Sequence, residues 1–216
     1  MSQVPTGLTG LAVASTSVSD ALAELRLSTA GVKGGALCEL VAYAAEPVAG
    51  PAFTVRLCPP EESDRPFNAF LDEIPAGSVI VVDNGGRRGH SVFGGLMAAE
   101  ATRRGAVAAV VNGDVRDVDE ARQLGIGLFA LGRTPVSGRP FVRLAATGDA
   151  VEWGGVTIVG GDLVVADGDG AVVVPAAYAA GVLERARAIE EADAALAADV
   201  RSGVPLARAR EQRAPQ

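Results

Sequence analysis

The sequence predicts an α/β fold, and three features of one stretch predict it. Residues 78–83 (SVIVVD) and 106–112 (AVAAVVN) are continuous runs of Val, Ile and Ala, the pattern of strands covered on both faces. Between them, after a glycine-rich loop, residues 94–104 (GGLMAAEATRR) have helical composition, and Gly105 directly behind Arg103 and Arg104 reads as a helix stop. Strand, helix and strand make a βαβ unit. Such crossovers are right-handed and join strands of the same direction, so the loops after Asp83 and Asn112 are expected at one edge of the sheet, where open α/β sheets bind ligands.

The other elements follow in order. Thr16 or Ser17 is placed to cap a helix carrying Val18, Leu22 and Leu25, and the glycines of residues 31–35 mark a loop. Residues 37–44 and 51–57 alternate or cluster apolar side chains as strands, and the polar run 59–65 (PPEESDR) turns into a short helix over 66–72. Residues 126–131 (IGLFAL) read as a buried strand, with further short strands at 141–144, 156–159, 163–167 and 171–174. A long Ala-rich helix is expected over 176–200, ending near Gly203, and residues 206–216 are expected as a loosely held tail. Neither an internal repeat nor a linker divides the chain, so residues 1–205 are expected to form one domain.

Composition bounds the function. With 216 residues, 49% hydrophobic, the chain can bury a core without disulfide staples, and with only 4% aromatics that core must come from Val, Leu, Ile and Ala. A formal net charge of −7 argues against a nucleic-acid partner, because phosphate-backbone affinity rests on clustered Lys and Arg. The pairs Arg87-Arg88 and Arg103-Arg104 are too short to reverse that. Cys38 and Cys58 have neither metal-ligand spacing nor a disulfide pattern, which fits packed thiols in a reducing compartment. The first fifteen residues lack a basic leader and no run is long enough to span a membrane, so no membrane partner and a cytoplasmic location are expected.

The chemistry concentrates between Asp83 and Glu120. Backbone amides at the start of a helix lack intrahelical acceptors and carry the positive end of the macrodipole, so Gly94, Gly95, Leu96 and Met97 form a candidate carboxylate cradle. Arg116 offers a forked, permanently charged donor, and Asp117 is a hard oxygen ligand suited to Mg²⁺ or Mn²⁺. Together they suit negative charge on a 2-oxo acid. The plainer alternative makes Gly94-Gly95 a turn and Arg116-Asp117 a surface ion pair.

Gly95, twenty intervening residues, Arg116-Asp117, two more residues and Glu120 resemble the signature of the RraA-like family, which includes 4-hydroxy-4-methyl-2-oxoglutarate/4-carboxy-4-hydroxy-2-oxoadipate aldolases and regulators of ribonuclease activity. Residues 15–22 (STSVSDAL) resemble its N-terminal helix start, and residues 153–175 (WGGVTIVGGDLVVADGDGAVVVP) its late paired strands, so the likeness spans residues 12–205. The resemblance implies an RraA-like β/β/α core related to the swivelling phosphohistidine domain. It also implies a metal-dependent carbon–carbon lyase acting on 2-oxo acids through a pyruvate enolate, as a 4-hydroxy-2-oxo acid aldolase or an oxaloacetate decarboxylase. Substrate carboxylate would sit on the amides of Gly94 to Met97, the metal near Asp117, and Arg116 against the enolate oxygen. A homotrimer or dimer of trimers, with sites at subunit interfaces, is implied too.

The chain departs from the characterised aldolases at Gly95, where they carry an Asp that helps hold the metal's waters. Glu120, one helical turn beyond Asp117, either aims at the same ion or is a first-turn Glu favoured by the helix dipole. Those aldolases also contribute a Glu from a neighbouring subunit, which Glu190 or Glu191 would match. Two other functional classes compete. GGRRGH (residues 85–90) resembles the GG-x-x-x-H motif of phosphohistidine carriers, with the ordinary reading a His90 at the mouth of the crevice touching substrate. Some RraA-like proteins instead bind and inhibit a ribonuclease, although the type suggested does not keep the Arg-Asp pair. Asp162, Asp167 and Asp169 lack calcium-loop spacing and read as turn residues.

Overall fold

The computed structural model describes residues 13–27, 34–37, 40–44 and 47–213. The first twelve residues, Cys38 and most of the glycine loop at 31–35 therefore lie outside the described residues. In chain order the elements begin with α1 (Ser15–Glu24), β1 (Gly35–Leu37), β2 (Val41–Ala44), β3 (Val48–Cys58), β4 (Val79–Asp83) and β5 (Ser91–Phe93). Next come α2 (Gly95–Arg103), β6 (Ala108–Val115), α3 (Val118–Leu124) and β7 (Gly127–Arg133). The chain continues through β8 (Arg143–Thr147), β9 (Val151–Trp153), β10 (Val156–Ile158), β11 (Leu163–Asp167) and β12 (Gly170–Val174), then α4 (Ala179–Arg201) and α5 (Leu206–Arg213).

One large sheet runs β1-β12-β11-β3-β4-β6-β7-β2, with β5 beside β6 and β8 beside β3. Its centre, β3-β4-β6-β7, is parallel, and both flanks are antiparallel. This is the predicted mixed α/β architecture, with the expected βαβ unit formed by β4, α2 and β6. Strand β3 is eleven residues long and ties the halves together: Val48–Pro51 pairs with β11, Ala52–Arg56 with β4, and its end with β8.

Burial explains the continuous apolar runs. One face of the parallel strands, through Ile80, Val82, Ala109 and Val111, packs against Met97, Ala98 and Ala101 of α2 and Ala121 of α3. The opposite face, through Val79, Val81, Ala108 and Val110, packs on Trp153, Val156 and Ile158 of the β9–β10 hairpin. A third cluster joins α1 and α4 through Val18, Leu22, Val182 and Ala186 to β11 and β12. Phe70, Phe93 and Phe129 are each at most 1% exposed and sit deep in the aliphatic packing, whereas Phe141 and Tyr178 are exposed.

Several expectations are corrected. The strand expected over 37–44 is two strands, β1 against β12 and β2 against β7, at opposite ends of the sheet. An apolar run reports burial but not the change of partner within it. The α1 cap is neither Thr16 nor Ser17, because the helix starts at Ser15 and Asp167 receives the Ser15 amide and hydroxyl, both at 2.7 Å, from 152 residues away. The short helix at 66–72 is a 3₁₀ turn over Ala69–Glu73. Of the residues expected as a loose tail, Leu206–Arg213 form α5, where Ala209 is buried and Arg213 reaches Asp199 at 2.6 Å, and residues 214–216 lie outside the described residues. Asp162 does hold turns, accepting the amides of Val159 and Ala176 at 3.0 Å each. Among the described residues no helix is long and apolar enough to cross a membrane.

Candidate active site

Strand β6 ends three residues beyond the point the sequence pattern implies, at Val115, with its pairing to β7 interrupted between Val111 and Asp114. The extension sets Arg116 directly beside the start of α2. Its amide donates to the Phe93 carbonyl at 3.0 Å, which fixes the end of β6 to the segment leading into Gly94. Asp117 then turns the chain into α3 with a left-handed backbone, φ 55°. That conformation is costly for a residue with a Cβ and is tolerated best by Asn and Asp.

The turn aims Asp117 at the helix start. Its Oδ2 accepts the Gly95 amide at 3.0 Å and lies 3.3 Å from Arg116 Nε. Both glycines give this crossing its room. A Cβ on Gly94 would stand 3.0 Å from Arg116 and Asp117 side-chain atoms, and a Cβ on Gly95 would run into the Glu120 carboxylate. Glu120, one turn into α3, thus fills the volume next to Gly95 that a side chain there would need.

Of the candidate site residues between Asp83 and Glu120, all but one line one crevice. Gly94, Gly95, Leu96, Met97, Arg116, Asp117 and Glu120 share it with Phe67, Leu71 and Phe93 on an apolar wall and Ser91, Ser137 and Arg139 on a polar one. The amides differ in availability. Met97 donates to the Gly94 carbonyl at 2.9 Å and is turned into the helix, and Gly95 is held by Asp117, which leaves the Leu96 amide without a protein acceptor among the described residues. The Leu96 side chain, 82% exposed, projects from the rim.

The exception is His90, which the sequence put at the mouth of the crevice and the structure leaves off its lining. Its ring packs on Phe141 with centroids 5.3 Å apart, and Nε2 is buried without a partner. Burial pushes its pKa below the usual histidine value and the nearby Arg87 adds to the shift. A buried Nε2 is a poor phosphoryl acceptor, which counts against a carrier role at that nitrogen.

The sequence singled out none of the wall residues Phe67, Leu71, Phe93, Ser91 and Ser137, nor two charged neighbours of the site. Asp114, buried at the end of β6, accepts the Gly89 amide at 2.7 Å and pairs with Arg88, which anchors the glycine-rich loop over the strand end. Arg139 lines the polar wall. Neither belongs to a local pattern, and only folding brings them to this edge. Of the two candidate late glutamates, Glu190 accepts the Ala14 amide of its own chain at 2.6 Å, whereas Glu191 is exposed.

The donor set fits a hard divalent cation. Asp117 and Glu120 converge on Gly95, and among the described residues no group of three or more His, Cys, Asp and Glu surrounds them. Two carboxylates, with water completing the shell, are what Mg²⁺ commonly takes.

Comparison with known proteins bears on the family. Residues 15–173 match the family model described as RraA-like, Aldolase/RraA. The chain is 33% identical over 200 residues to Protein DlpA of Legionella pneumophila, covering 91% of this chain but only 32% of that protein, so it spans about a third of that relative's length. It is 38% identical over 126 residues to a Burkholderia mallei protein named "Putative 4-hydroxy-4-methyl-2-oxoglutarate aldolase", covering 58% of this chain and 73% of that one. Among solved structures, Streptomyces coelicolor RraAS2, titled an unusual member of the RNase ES inhibitor RraA protein family, aligns with a TM-score of 0.75 and 31% identity over 88% of this chain and 96% of its own.

Proposed function

Because the chain belongs to the RraA-like family, we propose that it is a divalent-metal-dependent carbon–carbon lyase that splits 2-oxo acids through a pyruvate enolate. Its reactions are decarboxylation of oxaloacetate, cleavage of 4-hydroxy-2-oxo acids, or both. The observation that carries this reading is the convergence of Asp117 and Glu120 at the Gly95 amide, beside the Arg116 guanidinium.

Asp117 and Glu120 are the residues that would hold Mg²⁺ or Mn²⁺, and the ion would act as a Lewis acid that polarises the 2-oxo group. The chain supplies the rest. The amides of Gly95 and Leu96 at the positive end of α2 receive the substrate carboxylate. Arg116 donates to the oxygen that gains charge as the electrons of the breaking C–C bond move towards it, and its fork suits a planar enolate. Phe67, Leu71 and Phe93 line the apolar side. CO2 departs from oxaloacetate, or a carbonyl fragment departs as the 4-hydroxyl gives its proton to solvent, and the enolate left behind takes a proton from water at C3 to give pyruvate. Glu120 provides the carboxylate that the characterised aldolases carry at the position of Gly95.

In this reading the protein works in the cytoplasm on a small acid, not on nucleic acid or a membrane. It assembles as a homotrimer or dimer of trimers that covers the exposed Leu96 rim, which light scattering at micromolar concentration checks. The deciding assay follows pyruvate release from oxaloacetate and from 4-hydroxy-2-oxo acids with Mg²⁺, with Mn²⁺ and with chelator. Turnover that chelator abolishes supports the lyase. Inertness towards both substrates with both metals overturns it in favour of a binding protein.

A further inference from the structure

We infer that the chain's own carboxylates occupy the anion cradle, so that a 2-oxo acid is admitted only after a divalent cation has neutralised them. The inference rests on the lyase reading for the identity of the cation and substrate, but its structural basis is separate. Asp117 Oδ2 already takes the Gly95 amide at 3.0 Å, the hydrogen bond a substrate carboxylate would need. The Glu120 carboxylate lies over the Cα of the same glycine, where an incoming anion would approach the helix start.

The two groups are held there differently. Asp117 is placed by the left-handed turn at the end of β6 and stays close to Arg116, 3.3 Å from its Nε. Glu120 has no ion-pair partner among the described residues, whereas Asp119 beside it pairs with Arg122. Glu120 is therefore the movable half of the plug. A carboxylate entering without the cation meets Asp117 already paired with Arg116, the unpaired charge of Glu120 and one occupied amide, so it must displace the chain's own carboxylates to reach the helix start. Asp117 and Glu120 would hold the cation, and with their charge neutralised there the Gly95 N–H would be free for the substrate carboxylate. Binding becomes ordered, cation first, and the protein does not sequester free 2-oxo acids when the metal is scarce.

Oxalate, a planar dianion resembling the enolate, serves as the probe, with calorimetry and the Gly95 amide resonance as readouts that need no turnover. With chelator present, wild-type protein should bind oxalate at least ten-fold more weakly than Glu120→Ala. Mg²⁺ should bring wild type to the tighter range and shift the Gly95 amide signal. The control is Asp119→Asn, which removes an equal charge from the same helix without vacating the cradle, and its metal-free oxalate affinity should match wild type. Equal metal-free affinity in wild type and Glu120→Ala overturns the inference, as does an Asp119→Asn variant that gains as much as Glu120→Ala. If the lyase reading fails instead, oxaloacetate stays intact with both metals while the metal-free difference between wild type and Glu120→Ala persists.

Discussion

The Glu120 carboxylate lies where a side chain on Gly95 would have to be, so the two positions compete for one volume. Gly95→Asp alone therefore places three carboxylates in a space shaped for two. We expect this variant to be no more active than wild type, and Glu120→Ala to lose metal affinity. The double variant Gly95→Asp/Glu120→Ala should recover turnover above Glu120→Ala alone. A cycle of the four proteins, read by Mg²⁺ titration and oxaloacetate turnover, measures the coupling, and additive effects would show that the two positions do not share a role.

Arg116 touches both the strand end and the crevice, its amide on Phe93 and its guanidinium on Asp117. Arg116→Lys keeps the charge but loses the fork. Turnover should fall by roughly 10²-fold, the scale seen when one oxyanion donor is removed, with KM changing much less. A loss confined to KM would assign Arg116 to ground-state binding instead.

Asp117 combines the carboxylate proposed to hold the metal with a left-handed backbone. Asn tolerates that conformation and still offers an oxygen to the Gly95 amide, but it is a far poorer ligand for a hard cation. Asp117→Asn should therefore abolish metal-dependent turnover while thermal unfolding stays within about 1 kcal/mol of wild type. Substantial unfolding of this variant would show that the carboxylate serves the fold as much as the chemistry.

The parts legible in the sequence are those encoded locally. Residues 78–83 and 106–112 announced buried parallel strands because both of their faces are covered, and the spacing from Gly95 to Arg116-Asp117 and Glu120 placed them on facing element ends. What stayed hidden depends on distant pairing. Nothing near Ser15 says that Asp167 will cap its helix, nothing near Leu37 says that the chain changes sides of the sheet before Val41, and the left-handed turn at Asp117 leaves no composition signal. The competition between Glu120 and Gly95 likewise depends on how α2 and α3 approach, which spacing alone does not determine.

Thr54 is a case where the fold carries a small cost. It sits in β3 at 1% exposure, and its Oγ1 has no hydrogen-bond partner among the described residues. Val has nearly the same shape, favours strands equally and leaves no orphaned hydroxyl. Thr54→Val should stabilise the protein by about 1 kcal/mol, seen as a higher midpoint in urea with an unchanged slope. Destabilisation would mean that the hydroxyl has a partner, such as a buried water.

His90 gives the pH dependence, and because the chain contains a single histidine its ring resonances are unambiguous. Burial and then Arg87 hold its pKa below the ordinary 6.5, while Asp114 opposes them. The neutral ring is thus favoured in the fold, and the unfolded chain takes up the proton first as pH falls. Its stabilising contribution is complete above pH 6.5 and is lost as pH drops through the folded-state pKa. A proton NMR titration should place the midpoint below 6.5. His90→Phe keeps an aromatic contact with Phe141 but cannot titrate, so its melting temperature should fall less than that of wild type between pH 7 and pH 5. If the two proteins lose stability in parallel over that range, the acid sensitivity belongs to the carboxylates, and the packing of His90 on Phe141 is indifferent to its charge.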